Sequence, residues 1–331
     1  MHKVLSFGEL LLRFEALPIT DEITESRRLY ATFPGGAEAN VSFALASLGI
    51  PVSFFTVIPD NLLAKNALGI MKKNGVDVSK ILIKDGRIGS YFLLGANGLT
   101  TGNVIYDRKF SSFCDVNAEE IDWDSIFTDC TWLHWTAITP ALSQKWILLI
   151  KRCLQEARQR NIFISVDLNY RSRLWDFGTD PIDVMPQLVS FCDVIMGNIW
   201  ASHTMLGTPI DENLHRFTSK SEYFEFAKKT STEIFARFPN CKHIANTFRF
   251  MDNPNHNLLF GTYHNLEGDW VSQSFETNDL KDRIGSGDAF MSGLIYGLCK
   301  NLAPQEIIDY ATITGYKKLF IKGDFLHKAQ K

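Results

Sequence analysis

The residues Asp282-Arg283-Ile284-Gly285-Ser286-Gly287-Asp288-Ala289-Phe290 run straight into MSGLIYGL, a segment with helical apolar spacing. Small residues at a helix start leave backbone N–H groups without intrahelical acceptors, and the helix dipole adds positive potential there, so the turn is suited to an anion. Asp288 falls in the first turn of that helix, a carboxylate beside the place where a phosphate would bind. From these residues alone it reads equally as a general base or as a helix cap, which Asp often is. No GK[ST] follows, and the third glycine falls at Gly293, so this is neither a Walker A loop nor the dinucleotide fingerprint. A second turn, Pro34-Gly35-Gly36-Ala37-Glu38-Ala39-Asn40, opens a helix that ends at Gly49. Paired glycines allow close backbone approach to a ligand. Asn40, one turn in, can bond a hydroxyl or simply face solvent.

These turns need a scaffold, and the chain between them supplies a regular one. The β-branched runs KVLSFG, PVSFFTV, NIFISVDLN, CDVIMGN and KHIANTF alternate with helix-period segments such as Ala37–Leu48 and Lys145–Gln159. That βαβ rhythm predicts an α/β fold, a mostly parallel central sheet with helices on both faces. Residues 87–107 break the rhythm with two strand-like runs around a Gly/Asn/Thr turn and no crossover helix, as an antiparallel hairpin would. Residues 14–33 also lack a helical period. Together, about 14–33 and 87–113 are expected to form a small antiparallel β lid over the carboxyl edge of the sheet, where open α/β sheets bind ligands. The whole of 1–331 reads as one domain. Residues 211–240 are polar and helical in pattern and carry no evident chemistry.

Composition excludes several functions. The net charge of −3 shows no basic stripe or acidic tail for nucleic acid or a membrane surface, and 45% hydrophobic residues suffice for a full core. The six cysteines are scattered with no CxxC, as reduced buried thiols are. Glu9 and Arg13 interrupt what would have to be a signal-peptide core, and no apolar run approaches a membrane span, so a cytoplasmic location is expected.

Taken together, the two turns, about 250 residues apart, resemble the signature motifs of the PfkB (ribokinase-like) carbohydrate kinases. GGAEANVSFALASLG is similar to the N-terminal signature and DRIGSGDAFMSGLIYG to the C-terminal one, with its D-x-x-G-x-G-D. Within that family the chain most resembles the 2-keto-3-deoxygluconate kinases. The resemblance lies in GELLLRF, in RIGSYFLLGA followed by VIYDRKFSSF, in Asp167-Leu168-Asn169-Tyr170-Arg171 with Leu174-Trp175, and in Thr247-Phe248-Arg249. It covers nearly the whole chain.

The resemblance implies a ribokinase-like kinase that uses ATP and Mg²⁺ to phosphorylate the terminal hydroxyl of 2-keto-3-deoxy-D-gluconate. Asp288 would be the base, with Gly285, Ser286 and Gly287 completing the anion hole. The Ser286, Gly287 and Asp288 N–H groups would hold γ-phosphate oxygens. Gly35, Gly36, Asn40, Tyr91, Tyr106, Arg108 and Arg171 would contact the acid sugar, and Asn198, Gly285 and Gly287 the nucleotide. Two arginines from distant segments, Arg108 and Arg171, suit a carboxylate, unless Arg108 pairs with Asp107 or another surface carboxylate and Arg171 with Asp167 or Asp176. The family's Asn-x-x-Glu reads Asn198-Ile199-Trp200-Ala201 here, and the missing Glu predicts a requirement for unusually high Mg²⁺. No residue is assigned as a metal ligand. A homodimer or higher homo-oligomer through the lid is expected. The rival readings are a kinase for another sugar, such as fructose or ribose, and a catalytically weakened protein that binds a sugar acid.

Overall fold

The structure is a computed structural model and describes residues 2–18, 29–94 and 104–327. Strands β1 (Val4–Phe7), β2 (Leu11–Ala16) and β3 (Tyr30–Gly35) lead into helix α1 (Ala37–Ser47). Then come β4 (Val52–Phe55), β5 (Val57–Ile58), α2 (Leu62–Lys73), β6 (Leu82–Ile83), β7 (Gly89–Leu93) and β8 (Val104–Asp107). The middle of the chain holds α3 (Ser112–Asp115), α4 (Trp123–Phe127), β9 (Trp132–Thr136), α5 (Gln144–Gln159) and β10 (Phe163–Asp167). It continues with α6 (Pro181–Val189), β11 (Val194–Gly197), α7 (Ile199–Leu206) and α8 (Lys220–Arg237). Last are β12 (His243–Phe250), β13 (Asn257–Asn265), β14 (Gly268–Val271), β15 (Phe275–Thr277), α9 (Ser286–Cys299) and α10 (Pro304–Lys318).

The main sheet runs β14-β13-β12-β11-β10-β9-β1-β4, with β15 paired to β13. From β4 through β12 every pairing is parallel, and the β13 end is antiparallel. Alternation along the strands sends residues to opposite faces. Leu5 and Phe7, with Ile195 and Ile244, pack beneath α5 and α6 around Trp146, Leu149 and Leu188. Val4, Val194, Met196 and Ala245 pack on the other face against α1, α9 and α10, around Phe43, Phe290, Met291 and Ile308. Helices therefore cover both faces, and α1 and α5 fall where the apolar period predicts them. The six cysteines are free, and Cys153, Cys192 and Cys241 are buried.

A separate four-stranded sheet, β3-β2-β7-β8, forms the lid. Its β7–β8 hairpin is antiparallel, and the expected Gly/Asn/Thr tip at 95–103 lies outside the described residues, as do 19–28 of the first lid segment. Two boundaries differ from expectation. The first lid strand begins at Leu11, and Ser111 caps the short helix α3 through the Cys114 N–H, so the second segment ends in a helical turn. The β2–β7 pairing is parallel, and β3 with the whole α1–β6 segment joins those strands, leaving room to return in the same direction.

Candidate active site

A cavity of about 630 Å³ opens between the lid and the carboxyl ends of β10, β11 and β12, a volume suited to a small ligand. Its floor is the turn before α9. Gly285 caps that helix in the left-handed region, φ 79°, and a Cβ there would overlap the Asp324 carbonyl oxygen, so the turn is closed only with glycine. The Ser286 N–H, expected to face the anion, is instead spent on the Arg283 carbonyl at 3.2 Å, and the Ala289 N–H returns to the Gly285 carbonyl at 2.8 Å. The N–H groups of Gly287 and Asp288 are left as the first-turn donors with no helical acceptor. Gly287 is exposed, and open space surrounds the place a Cβ would take.

Three buried carboxyls, Asp288, Asp167 and Glu38, act on one another electrostatically behind this turn. Asn40 Nδ2 donates to Asp288 Oδ2 at 2.6 Å, and Asn40 Oδ1 is buried without a partner. Burial pushes the Asp288 carboxyl up to about 6; the Asn40 bond and Arg171 pull it down, and Glu38 pushes it further up. An ordinary Asp value near 4, adequate for a base, is thus not what the site holds. Asp167, at the end of β10, is raised to about 7 by burial and then by the charge of Asp288. Burial also raises Glu38, whose Oε1 accepts from the Thr136 N–H and from the Thr136 and Thr139 hydroxyls at 2.7–3.2 Å.

The cations are arranged differently from the expected Arg108–Arg171 pair. Arg108 is buried and donates through Nε to Glu9 Oε2 at 2.6 Å, while the Ser111 hydroxyl donates to Glu9 Oε1. Its charge is already balanced, by a buried residue and not by the surface carboxylates first considered. Asp107 pairs with Arg87 and Asp176 with Lys109. Arg171 is exposed in the cavity, bonds only the Tyr170 carbonyl, and makes no ion pair among the described residues. Arg249 donates to the Ser286 hydroxyl at 3.0 Å. It is open to the cavity yet enclosed on most sides, and this desolvation, with Arg171 and Arg283 nearby, lowers its pKa to about 10. Arg283 donates Nη2 to the His256 carbonyl at 2.8 Å, while its Nε and Nη1 are buried with no partner. The positive side of the cavity is therefore Arg171, Arg249 and Arg283.

The remaining predicted contacts divide. Gly36 and Tyr106 line the cavity, but Gly35 does not; a Cβ on Gly35 would strike the Asp324 side chain. The Tyr91 ring lines the cavity, but its hydroxyl donates to Asp324 Oδ2 at 2.5 Å and is committed there. Asp324 belongs to a buried network in which Arg13 spans Asp282 at 2.8 Å and Asp324 at 3.1 Å, tying the lid to the floor turn. Asn198 lines the cavity and its Oδ1 caps the Ala201 N–H at 2.8 Å; Ala201 itself is 3% exposed in the core. Sequence reading passed over Glu9, Glu38, Asp167 as an acid, Arg283 and Asp324. Glu9 and Arg13, the two charges in the apolar run GELLLRF, carried a signal, since a charge in an apolar run needs a partner.

Among the described residues no three His, Cys, Asp or Glu side chains are grouped to hold a metal. Mg²⁺ fits as part of a nucleotide complex held largely by phosphates and water, with the Asp167 and Asp288 carboxyls lining the same cavity. A triphosphate itself fits well: two free N–H donors, a helix N-terminus and three guanidiniums face one cavity.

Comparisons with known proteins agree with this chemistry. Residues 1–234 match the model of the pfkB family carbohydrate kinases. The chain is 25% identical to 2-dehydro-3-deoxygalactonokinase of Haloferax volcanii over 97% of its own length and 92% of that protein's. It is 23% identical to 2-dehydro-3-deoxygluconokinase of Bacillus subtilis over 87% of its length and 81% of that protein's. The crystal structure of 2-dehydro-3-deoxygluconokinase from Thermotoga maritima superposes with a TM-score of 0.87 at 30% identity, covering 98% of this chain and 96% of that one. An E. coli protein solved in complex with ATP and Mg²⁺ shares the fold, with a TM-score of 0.75 at 16% identity over 98% of this chain and 94% of that one.

Proposed function

We propose, for a chain that belongs to the pfkB family of carbohydrate kinases, that it transfers the γ-phosphoryl of ATP to the terminal hydroxyl of 2-keto-3-deoxy-D-gluconate. The observation that carries this reading is the Asp288 carboxylate, bonded to Asn40 at the mouth of an anion-binding turn. Phosphoryl transfer asks a protein mainly for positioning and charge neutralisation. The sugar hydroxyl oxygen forms its bond to the γ-phosphorus as the bond to the bridging oxygen breaks. The hydroxyl proton passes to Asp288, and ADP leaves with the electron pair. The Gly287 and Asp288 N–H groups hold γ-phosphoryl oxygens, while Arg249 and Arg283 offset their charge. Bound with the nucleotide, Mg²⁺ would supply further neutralisation of phosphate charge. Asn40 keeps the base oriented, and its unpartnered Oδ1 accepts a substrate hydroxyl. With Arg108 balanced by Glu9, and Arg249 and Arg283 given to the phosphates, the substrate carboxylate falls to Arg171, which makes no ion pair among the described residues.

A second acid-sugar reading, the galactonate-derived epimer, is favoured by the Haloferax relative. A coupled ADP-release assay over both epimers, their carboxylate-reduced alcohols, fructose and ribose tests the proposal. The expected result is turnover of a 2-keto-3-deoxy acid and loss of preference when its carboxylate is reduced; equal rates for fructose or ribose would overturn the acid-sugar assignment. No turnover of any sugar, with binding of the acid retained, would favour a sensor. The oligomer reading rests on the lid edges, where Tyr30 and Ile105 are exposed, and sedimentation tests it.

A further inference from the structure

Lys318, the last residue of α10, is fully buried, 0% exposed, although no step above uses it. Its Nζ donates to the Ile321 carbonyl at 2.9 Å, and its Cε lies 3.4 Å from the place a Cβ on Gly285 would take. It thus sits directly behind the turn that forms the floor of the cavity. The backbone around it is laced to the same turn: the Lys281 and Asp282 N–H groups donate to the Leu319 carbonyl, and the Gly323 N–H donates to Asp282 Oδ2 at 3.0 Å. One carbonyl is a poor reason to bury an ammonium, which costs heavily unless charge of the other sign is near. Four charged groups act on it electrostatically: Asp282 before the turn, Asp324 on the C-terminal segment, Arg13 on β2 and Asp288 on α9; His327 lies in its field as well.

We propose that Lys318 is a positioning residue for phosphoryl transfer, a built-in counter-ion behind the anion turn that lowers the cost of negative charge on the turn and keeps the Asp288 carboxylate ionised. This rests on the reading of Asp288 and its turn as the transfer site. Arg13 already spans Asp282 and Asp324 and lies 3.3 Å from Glu15, which Lys322 also pairs, so three acids and three cations, Lys318 among them, balance before substrate binds. Anything that removes the ammonium leaves a net negative charge under a site that must accept a phosphate. In a water-poor interior that charge acts on the turn and on Asp288 more strongly than in solution. The ammonium is also poised to titrate: burial foremost, with Arg13, lowers it to about 8, while Asp282, Asp324 and Asp288 raise it.

The test is Lys318→Met, which keeps the stem and removes the charge, assayed from pH 5 to 10 beside the parent and Asp288→Asn. The expected result is a kcat lower by roughly 10- to 100-fold, less than for a lost direct oxyanion donor. KM for ATP and sugar should stay within about threefold. The acid limb should move to higher pH, because the cation that favours ionised Asp288 is gone, and the parent's alkaline limb near pH 8 should vanish. Methylammonium should restore part of the rate of Lys318→Ala. A folded Met variant with parental kcat and an unchanged alkaline limb overturns the proposal, as does a loss that follows melting temperature alone and no amine rescues. If neither neutral variant folds, Lys318→Arg decides, since a guanidinium does not titrate in this range: an alkaline limb displaced beyond pH 10 supports the proposal, and one still near 8 overturns it. A fully active Asp288→Asn would instead sink the reading of the turn, a different failure from any of these.

Discussion

The Asn40 amide and the Asp288 carboxylate, 248 positions apart, meet at 2.6 Å between the first turns of α1 and α9. Both helices start on a glycine in positive φ, Gly36 at 116° and Gly285 at 79°, where a side chain would overlap backbone oxygens of Glu9 and Asp324 respectively. The two glycine turns are thus one construction, in which each N-terminus carries a polar residue to a common point. The bond also fixes which way Asp288 points, leaving its second oxygen to take a proton.

Replacing Asp288 by Asn should keep this geometry and remove the base. Turnover should fall by about 10²–10⁴, with nucleotide binding retained. Steady-state kinetics beside nucleotide titration check it, and a rate within threefold of the parent would reduce Asp288 to a helix cap. In the parent, the acid limb of kcat/KM should fall near pH 6, where burial sets the free carboxyl.

The carboxyl cluster opposes folding, and substitution should expose this. Burial raises the Asp167 carboxyl to about 7 in the folded chain, against about 4 for an Asp in an unfolded one. The native state therefore holds more protons than the unfolded chain between these values, and the contribution of Asp167 to stability falls as pH rises through that window. Asp167→Asn, still able to accept from the Asn169 N–H, should be more stable than the parent at pH 8, by on the order of a few kcal/mol at about 1.4 kcal/mol per unit. The advantage should vanish near pH 4. His134 and His243, held neutral by burial, weaken parent and variant alike below pH 6.5, so the difference between denaturation curves isolates the carboxyl.

The two arginines first taken as equivalents should now separate. Arg108→Ala strands the Glu9 carboxylate in the interior, and breaking a buried pair costs about 3–5 kcal/mol. Thermal melting should drop by many degrees whatever the substrate. Arg171→Ala removes an exposed cation with no carboxylate partner among the described residues, so melting should hold while kcat/KM for the acid sugar falls roughly 10- to 150-fold. Similar losses of stability in both variants would refute the distinction.

The sheet, its covering helices and the two glycine turns were legible because each is local: strand runs, apolar periods and turn chemistry stand within a dozen residues. Asp288 and Asn40 followed, since a turn places its own first residues. Partnerships were not legible. Glu9 reaches Arg108 across 99 positions, and Tyr91 reaches Asp324 across 233, so nothing near either tyrosine or arginine shows that its polar atoms are already committed. Lys318 carries even less signal, because a lysine ending an amphipathic helix normally faces water. What sequence leaves open here is which charges cancel, and that decides which residues remain for substrate.

The same limit bears on Ala201. Sequence alone suggests restoring a Glu at this position to improve magnesium use, since outer-shell contacts are worth 10- to 100-fold. The side chain at 201, however, is 3% exposed and belongs to the main apolar cluster with Leu206 and Met205. Its N–H is the one capped by Asn198, so the helix start cannot turn the position outward without losing the cap, worth about 1 kcal/mol. A carboxylate there is buried without a cation, at a cost of several kcal/mol. Ala201→Glu should therefore melt well below the parent and leave the magnesium titration where it was. The parent is still expected to need unusually high Mg²⁺ for half-maximal rate, because position 201 supplies no Glu to order the metal's water shell. A magnesium titration of both proteins with parallel melting decides it. A leftward shift in a variant that melts with the parent would mean that the Glu side chain finds a path from the core to the cavity. A parent already saturated by trace Mg²⁺ would remove the metal requirement itself.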